Sequence, residues 1–272
     1  GGRRFVRRLA AAGSPAMSAA LTVGLPLYRS RDCAWIALEG LAAQVDAPPW
    51  ELLVAEEDGD DALGTGGLAA FGPDLRRAGC VRIERLGLSS HLWLGSKWRA
   101  IADAAWSPWL LLQGGDDQSH PERLAETWDA VQAHPAAGWL HYRRGVFCDL
   151  PTLDCAEFDR RSYAGGEDRT GLSMAVRVDL VRRFPRQAFA PPHQHGVDGW
   201  LRSWASMVSG GSLECVELDS EAHRAGAVYC DGARAGHLSA HRPTMYDAAP
   251  FARVPVTDAA RALRARWAER AR

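Results

Sequence analysis

Short apolar runs that stop abruptly at proline, glycine or acid alternate, through the first half of the chain, with stretches whose apolar positions repeat at helical spacing. Leu21 to Tyr28 reads as a strand closed by Pro26, and Arg29 to Asp32 offers an N-cap for a helix over Cys33 to Gln44. After the Pro48-Pro49 break, Trp50 to Ala55 reads as a second strand, ending in Glu56-Glu57-Asp58-Gly59-Asp60-Asp61. A glycine-rich loop is expected over Leu63 to Gly72, then a strand over Cys80 to Leu86, a helix over Gly95 to Ala105 and a strand from Trp109. Alternation of this kind predicts parallel strands joined by short turns in an α/β sheet. Past Pro121 a helix runs to about Ala133. Gly138 to Phe147 reads as one strand, Leu150 to Gly171 as a loop, Leu172 to Val178 as a strand and Val178 to Arg183 as a helix. A helix follows over Gly199 to Val208, and Thr257 to Arg272 reads as a basic amphipathic helix.

The run Trp109 to Leu112 ends in Gln113-Gly114-Gly115-Asp116-Asp117. A strand buried on both faces delivers such residues to the carboxyl edge of a sheet, where ligands of open α/β folds gather. Two hard carboxylates there suit Mg²⁺ or Mn²⁺ shared with the phosphates of a substrate, and the glycines let backbone approach a bulky ligand. A solvated turn is the plain alternative for an isolated Gly-Gly-Asp-Asp.

Composition narrows the classes. The 272 residues are 47% hydrophobic, enough for a substantial core, and the formal charge of -1 provides no global field toward nucleic acid or anionic membrane. Six cysteines without C-x-x-C spacing indicate neither a structural zinc site nor a disulfide framework, which suits reduced thiols and a cytoplasmic setting. No apolar stretch reaches the roughly 20 residues of a membrane span, which leaves peripheral association open. Arg3, Arg4, Arg7 and Arg8 precede a small-residue run without a long apolar centre; Met17 offers an alternative start, so residues 1–20 are expected to be a flexible extension.

The order of these motifs resembles the family 2 glycosyltransferases over about Leu21 to Ala205. Pro26-Leu27-Tyr28-Arg29 is similar to the Pro-Thr-Tyr-Asn that closes the family's first strand, and Glu57-Asp58-Gly59 to its acidic second strand end. Leu112 to Pro121 matches the family's D-x-D segment when His120-Pro121 takes its His-Pro ending; Gly114 then stands at the first Asp and Asp116 at the second. Gly196-Val197-Asp198-Gly199 resembles the later Glu-Asp motif, with Val197 at the Glu.

The resemblance implies a GT-A, or nucleotide-diphospho-sugar transferase, fold with a mostly parallel central sheet flanked by helices. The domain is expected over residues 21–256, its nucleotide-binding half to about 121 and its acceptor half from 122, with a C-terminal basic helix over 257–272. The implied activity is inverting, metal-assisted transfer of a sugar from a UDP or GDP donor to a hydroxyl of a carbohydrate, lipid-linked or protein acceptor, as in bacterial glycan synthesis. Pro26, Tyr28, Asp58, Lys97 and Asp116 are then expected at the donor; Asp116, Asp117 and His237 at Mg²⁺ or Mn²⁺; Asp198 as general base; and His195, Trp200 and Trp204 at the acceptor. Tryptophan is abundant, eleven in all, and sugar faces stack on it, although most will be core. Two other readings remain at this point: a degenerate domain that only binds nucleotide sugar or glycan, and a sugar-1-phosphate nucleotidylyltransferase, whose G-x-G-T-R-like loop has no counterpart after the first strand.

Overall fold

A computed structural model describes residues 19–88, 93–162, 174–183, 197–231 and 251–270, with backbone alone at 197–200 and 231. Its centre is a seven-stranded sheet of β1 (Leu21–Leu27), β2 (Trp50–Glu57), β3 (Cys80–Leu88), β4 (Trp109–Leu112), β5 (Ala137–Tyr142), β8 (Ala175–Arg177) and β9 (Glu214–Leu218). The spatial order is β3-β2-β1-β4-β8-β5-β9; the first four strands are parallel, and β8 runs antiparallel to both of its neighbours.

Period-two alternation divides the apolar runs between the two faces of the sheet. Leu52, Val54, Trp109 and Leu111 point into a core covered by α1 (Ala34–Ala42), and Leu53, Ala55, Leu110 and Leu112 into one covered by α4 (Leu94–Ala104). Gly24 interrupts β1 on the second face. A Cβ there would lie 2.8 Å from Leu110 Cδ1 and 3.1 Å from Ile101 Cγ2, so glycine is what lets α4 lie close on the central strand. The same face is closed by α6 (Val178–Arg183) and α7 (Val197–Val208) through Leu180, Val181, Leu201 and Ala205.

Three expectations are corrected. The glycine-rich stretch is not a loop but α2 (Gly64–Ala70) and α3 (Gly72–Arg77). Glycine disfavours helix by about 1 kcal/mol per residue, but Leu68 and Leu75 are buried in the core, and the buried Glu56 carboxylate accepts the N–H groups of Leu63 (2.6 Å) and Gly64 (3.0 Å) at the start of α2. The single strand expected over Gly138 to Phe147 is two, because the chain leaves the large sheet at Arg143 and enters a second one as β6 (Arg144–Asp149). Leu150 to Gly171, expected as a loop, contains β7 (Asp154–Asp159), which forms a hairpin with β6. β10 (Tyr229–Asp231) and β11 (Phe251–Arg253) complete this sheet in the order β10-β6-β7-β11. It packs on Trp35 and Ile36 of α1 and on Ala260 and Leu263 of the C-terminal helix α9 (Asp258–Arg270). Among the described residues no helix is long and apolar enough to cross a membrane.

His141 on β5 is buried, and burial, with help from Arg160 and Arg202, pushes its imidazole down to about 3. Its nearest acid, Glu217, stands 3.9 Å away. Since the folded value lies below the unfolded one of about 6.5, the unfolded chain binds the extra proton first. Stability contributed at this position is therefore complete above about pH 6.5 and is lost as pH falls from there toward 3, at up to about 1.4 kcal/mol per pH unit. Urea unfolding at several pH values should show this slope, and His141→Gln should reduce it by up to about 1.4 kcal/mol per pH unit, the buried His120 and His223 leaving a remainder of the same sign; equal slopes in the two proteins would refute the assignment.

Candidate functional site

The sheet fixes where a ligand can bind. The chain builds outward from β1 to β2 and β3, then crosses to the other side of β1 to make β4, so the strand order reverses between β1 and β4. Such a reversal opens a crevice outside the carboxyl ends of the strands. Here β4 pairs only with Thr22 to Gly24, and β1 runs on alone along that side to Leu27. Pro26 lies in this overhang, still opposite Ala55 of β2, where its lack of an N–H costs no bond to β4.

Immediately beyond β1 the backbone turns sharply. Arg29 takes the left-handed φ of 47°, and Ser30 Oγ accepts the Tyr28 N–H at 3.2 Å while donating to the Tyr28 carbonyl at 3.0 Å. The turn presents the Tyr28 ring at the surface, 42% exposed, with Lys97 Nζ 5.4 Å and Arg29 Cζ 5.6 Å from its centroid.

Lys97, from the first turns of α4, is only 3% exposed. Its ammonium donates to the Leu27 carbonyl (2.5 Å) and to Glu57 Oε2 (2.7 Å), clipping the end of β1 to the end of β2. Burial pulls the Lys97 pKa below its ordinary value, and Glu57 works against that shift. The neighbouring Arg85 on β3 donates to buried Glu56 (3.0 Å) and to Asp58 (2.8 Å), whose side chain remains 70% exposed at the rim.

At the end of β4 the chain is held from below. Arg123, at the start of α5 (Arg123–Ala133), is fully enclosed and donates to Gln113 Oε1, to Ser119 Oγ (2.9 Å) and to the Leu112 carbonyl (2.8 Å). The Gln113 amide in turn donates to the carbonyls of Gly114 (3.0 Å) and Asp117 (2.6 Å). Both glycines leave room for this packing. A Cβ at Gly115 would stand 2.7 Å from Leu27 Cδ2, and one at Gly114 would collide with the Asp117 carboxylate. Asp117 thus fills the space that a side chain at position 114 would use, and its Oδ1 accepts the Cys230 N–H at 3.2 Å. Asp116 beside it is 9% exposed. Two adjacent hard carboxylates at the carboxyl edge are a donor set that fits Mg²⁺ or Mn²⁺.

The structure therefore brings Pro26, Tyr28, Asp58, Lys97, Asp116 and Asp117 to one edge of the sheet. Asp198 and Trp200 fall in the first turn of α7, with side chains outside the described residues, as His195 and His237 are entirely. Trp204 packs against the core beneath α7. The sequence gives Glu57 only as the acid beside Asp58 at the end of the second strand, and it does not mark Gln113 or Arg123 as site residues. Gln113 left a trace there, a polar residue directly after an apolar run; Arg123 left none, since an arginine in the first turn of a helix ordinarily reaches solvent.

No model of a known protein family matches the chain, and no curated protein matches it significantly by sequence. Solved structures do match. The 1–349 segment of S. aureus TarS in complex with UDP-GlcNAc aligns with a TM-score of 0.58 at 14% identity, over 82% of this chain and 61% of that one. The chain has a GT-A-like fold. A longer TarS structure aligns at 0.57 and 14% identity over 78% of this chain, which spans 36% of its length. The mannosyltransferase PcManGT from Pyrobaculum calidifontis, in complex with GDP-Man and Mn²⁺, aligns at 0.53 and 12% identity, over 85% of this chain and 62% of that one. The chain thus spans between about a third and three-fifths of the length of these proteins.

Proposed function

We propose that this chain is an inverting glycosyltransferase that moves a sugar from a nucleoside-diphosphate donor, UDP or GDP, to a hydroxyl acceptor. The observation that carries the reading is the reversal of strand order between β1 and β4, at whose carboxyl edge stand an exposed tyrosine, a lysine-glutamate clip and an adjacent pair of carboxylates. Fold alone supports many chemistries; these side chains select among them. In this reading the Tyr28 ring and the acids at the end of β2 face base and ribose, which present a flat π surface, an N–H and hydroxyls. Asp116, with Asp117 beside it, holds Mg²⁺ or Mn²⁺. When bound, that ion neutralises charge that develops on the departing diphosphate. Asp198 takes the proton of the acceptor hydroxyl as it attacks the face opposite the leaving group, which inverts the anomeric carbon.

A thermal-shift panel of UDP, GDP, CDP and dTDP sugars with and without Mn²⁺ tests the donor reading, since a ligand specific to the folded state raises its melting temperature. At least one UDP or GDP sugar should stabilise the chain; no shift with any of them would reject the reading. Asp116→Ala should keep the fold and lose the Mn²⁺-dependent part of nucleotide affinity, measured by calorimetry. Undiminished Mn²⁺-assisted binding would move the metal assignment to Asp117 or His237.

A further inference from the structure

A second cluster lies where α5 begins, just past the loop that carries Asp116 and Asp117. His120 is completely buried, Glu122 is the residue before the first turn of the helix and Glu126 is in that turn; one ligand atom from each lies within 4.8 Å of the others. Among the described residues no other three histidine, cysteine or acidic side chains converge so closely.

The imidazole is poorly served as a hydrogen-bonding group. Nδ1 has no partner, and Nε2 has only Tyr142 Oη at 3.3 Å and Glu126 Oε2 at 3.4 Å, both long for hydrogen bonds. Tyr142 spends its single proton on Glu126 Oε2 at 2.7 Å, so it turns only lone pairs toward His120. The one proton of the neutral imidazole therefore sits on Nε2, shared between Tyr142 Oη and Glu126 Oε2 at distances long for hydrogen bonds, and an ion bound at Nε2 would move it to Nδ1. The spacing of Nε2 from Glu126 Oε2 suits an ion between them, since two ligands at about 2.1 Å in a tetrahedral site stand roughly 3.4 Å apart.

The half-buried carboxylate of the cluster is held in place. Glu126 is oriented by Tyr142 and by Ser220 Oγ, which donates to its Oε1 at 2.6 Å. The His120 ring is held edge-on against Tyr142 and His223, whose rings stack at 3.9 Å. Glu122 is exposed and makes no side-chain cap to its helix.

The geometry points to a second divalent-metal site at the start of α5, in which His120, Glu122 and Glu126 hold a zinc-class transition ion and solvent completes the coordination. An imidazole ligand disfavours Mg²⁺ and Ca²⁺ and suits Zn²⁺. The ion fastens α5 to β5 through Tyr142 and to α8 (Glu221–Gly226) through Ser220, behind the loop that carries Asp116. This site stands apart from the donor reading and does not depend on it.

The test is calorimetric titration of the full, nucleotide-free chain with Zn²⁺ alone in a non-chelating buffer, with Co²⁺ absorption as a second readout of coordination. One ion per chain is expected, with a rise in melting temperature. Glu122→Gln, an exposed change that leaves the packing intact, should weaken binding about tenfold or more, and His120→Asn should abolish it; if His120→Asn fails to fold, Glu122→Gln carries the test. Asp116→Ala should bind Zn²⁺ like the parent. Absence of stoichiometric binding, an unchanged affinity in Glu122→Gln, or loss of Zn²⁺ binding in Asp116→Ala would each overturn the site.

Discussion

Lys97→Met is expected to cost about 3 kcal/mol of stability, the low end of the range for removing one member of a buried ion pair. Methionine replaces the stem of the lysine with little change in volume, so the loss isolates the charge. What remains is the Glu57 carboxylate, its side chain 13% exposed, without the ammonium 2.7 Å away, and a Leu27 carbonyl that has lost its 2.5 Å donor. Against a total stability of about 5–15 kcal/mol this is a large fraction, and at roughly 2–4 °C per kcal/mol for a domain of this size it lowers the melting temperature by about 10 °C. Denaturant unfolding measures the effect. The double variant Lys97→Met with Glu57→Gln should recover most of it, because an amide left at the strand end is far less costly than a stranded carboxylate. A loss below about 0.5 kcal/mol in Lys97→Met would show that the pair behaves like a surface contact and would remove the clip from the account of the β1–β2 edge.

That clip also marks how far the sequence could be read. The parallel half was legible because its strands are buried on both faces and so appear as apolar runs, with turn residues and acids where they reach the ligand edge: Pro26, Glu56 to Asp61, Gly114 to Asp117. The side of the sheet on which each strand lies could not be read, since β8 inserts between β4 and β5 through pairings distant in sequence. Nor could the turn of the chain from one sheet to the next at Arg143, which is invisible in a hydrophobicity pattern that stays apolar on both sides of it. The helices α2 and α3 were hidden by their glycines, and what rescues them is a carboxylate from a different strand. Positions of candidate residues were legible; their partners were not. Lys97 read as a basic residue near a nucleotide, whereas much of its bonding is committed to the protein's own strand ends. Gly114 read as a missing carboxylate, whereas the space beside it is already taken by Asp117.

Asp198→Asn is expected to leave donor affinity unchanged and to lower sugar transfer by about 10² to 10⁴, the usual contribution of a general base. Asp198 belongs to the first turn of α7, a helix anchored to the sheet by Leu201 and Ala205, so the substitution falls on a supported element and the fold should survive. Asparagine keeps the size of the side chain and can hold a hydrogen bond to an acceptor hydroxyl, but it cannot take the proton as the hydroxyl attacks. The magnitude distinguishes the two roles open to this carboxylate. An acid that merely favours the helix N-terminus contributes about 0.3–1 kcal/mol to stability, and one peripheral hydrogen bond to the acceptor about 1 kcal/mol, roughly a fivefold change in rate. The comparison requires a confirmed donor and acceptor, with nucleotide binding measured in the same preparation so that lost chemistry is not confused with lost binding. Transfer within a few-fold of the parent would reduce Asp198 to a helix-start acid, and the base would then be sought in the segment preceding α7, beginning with His195.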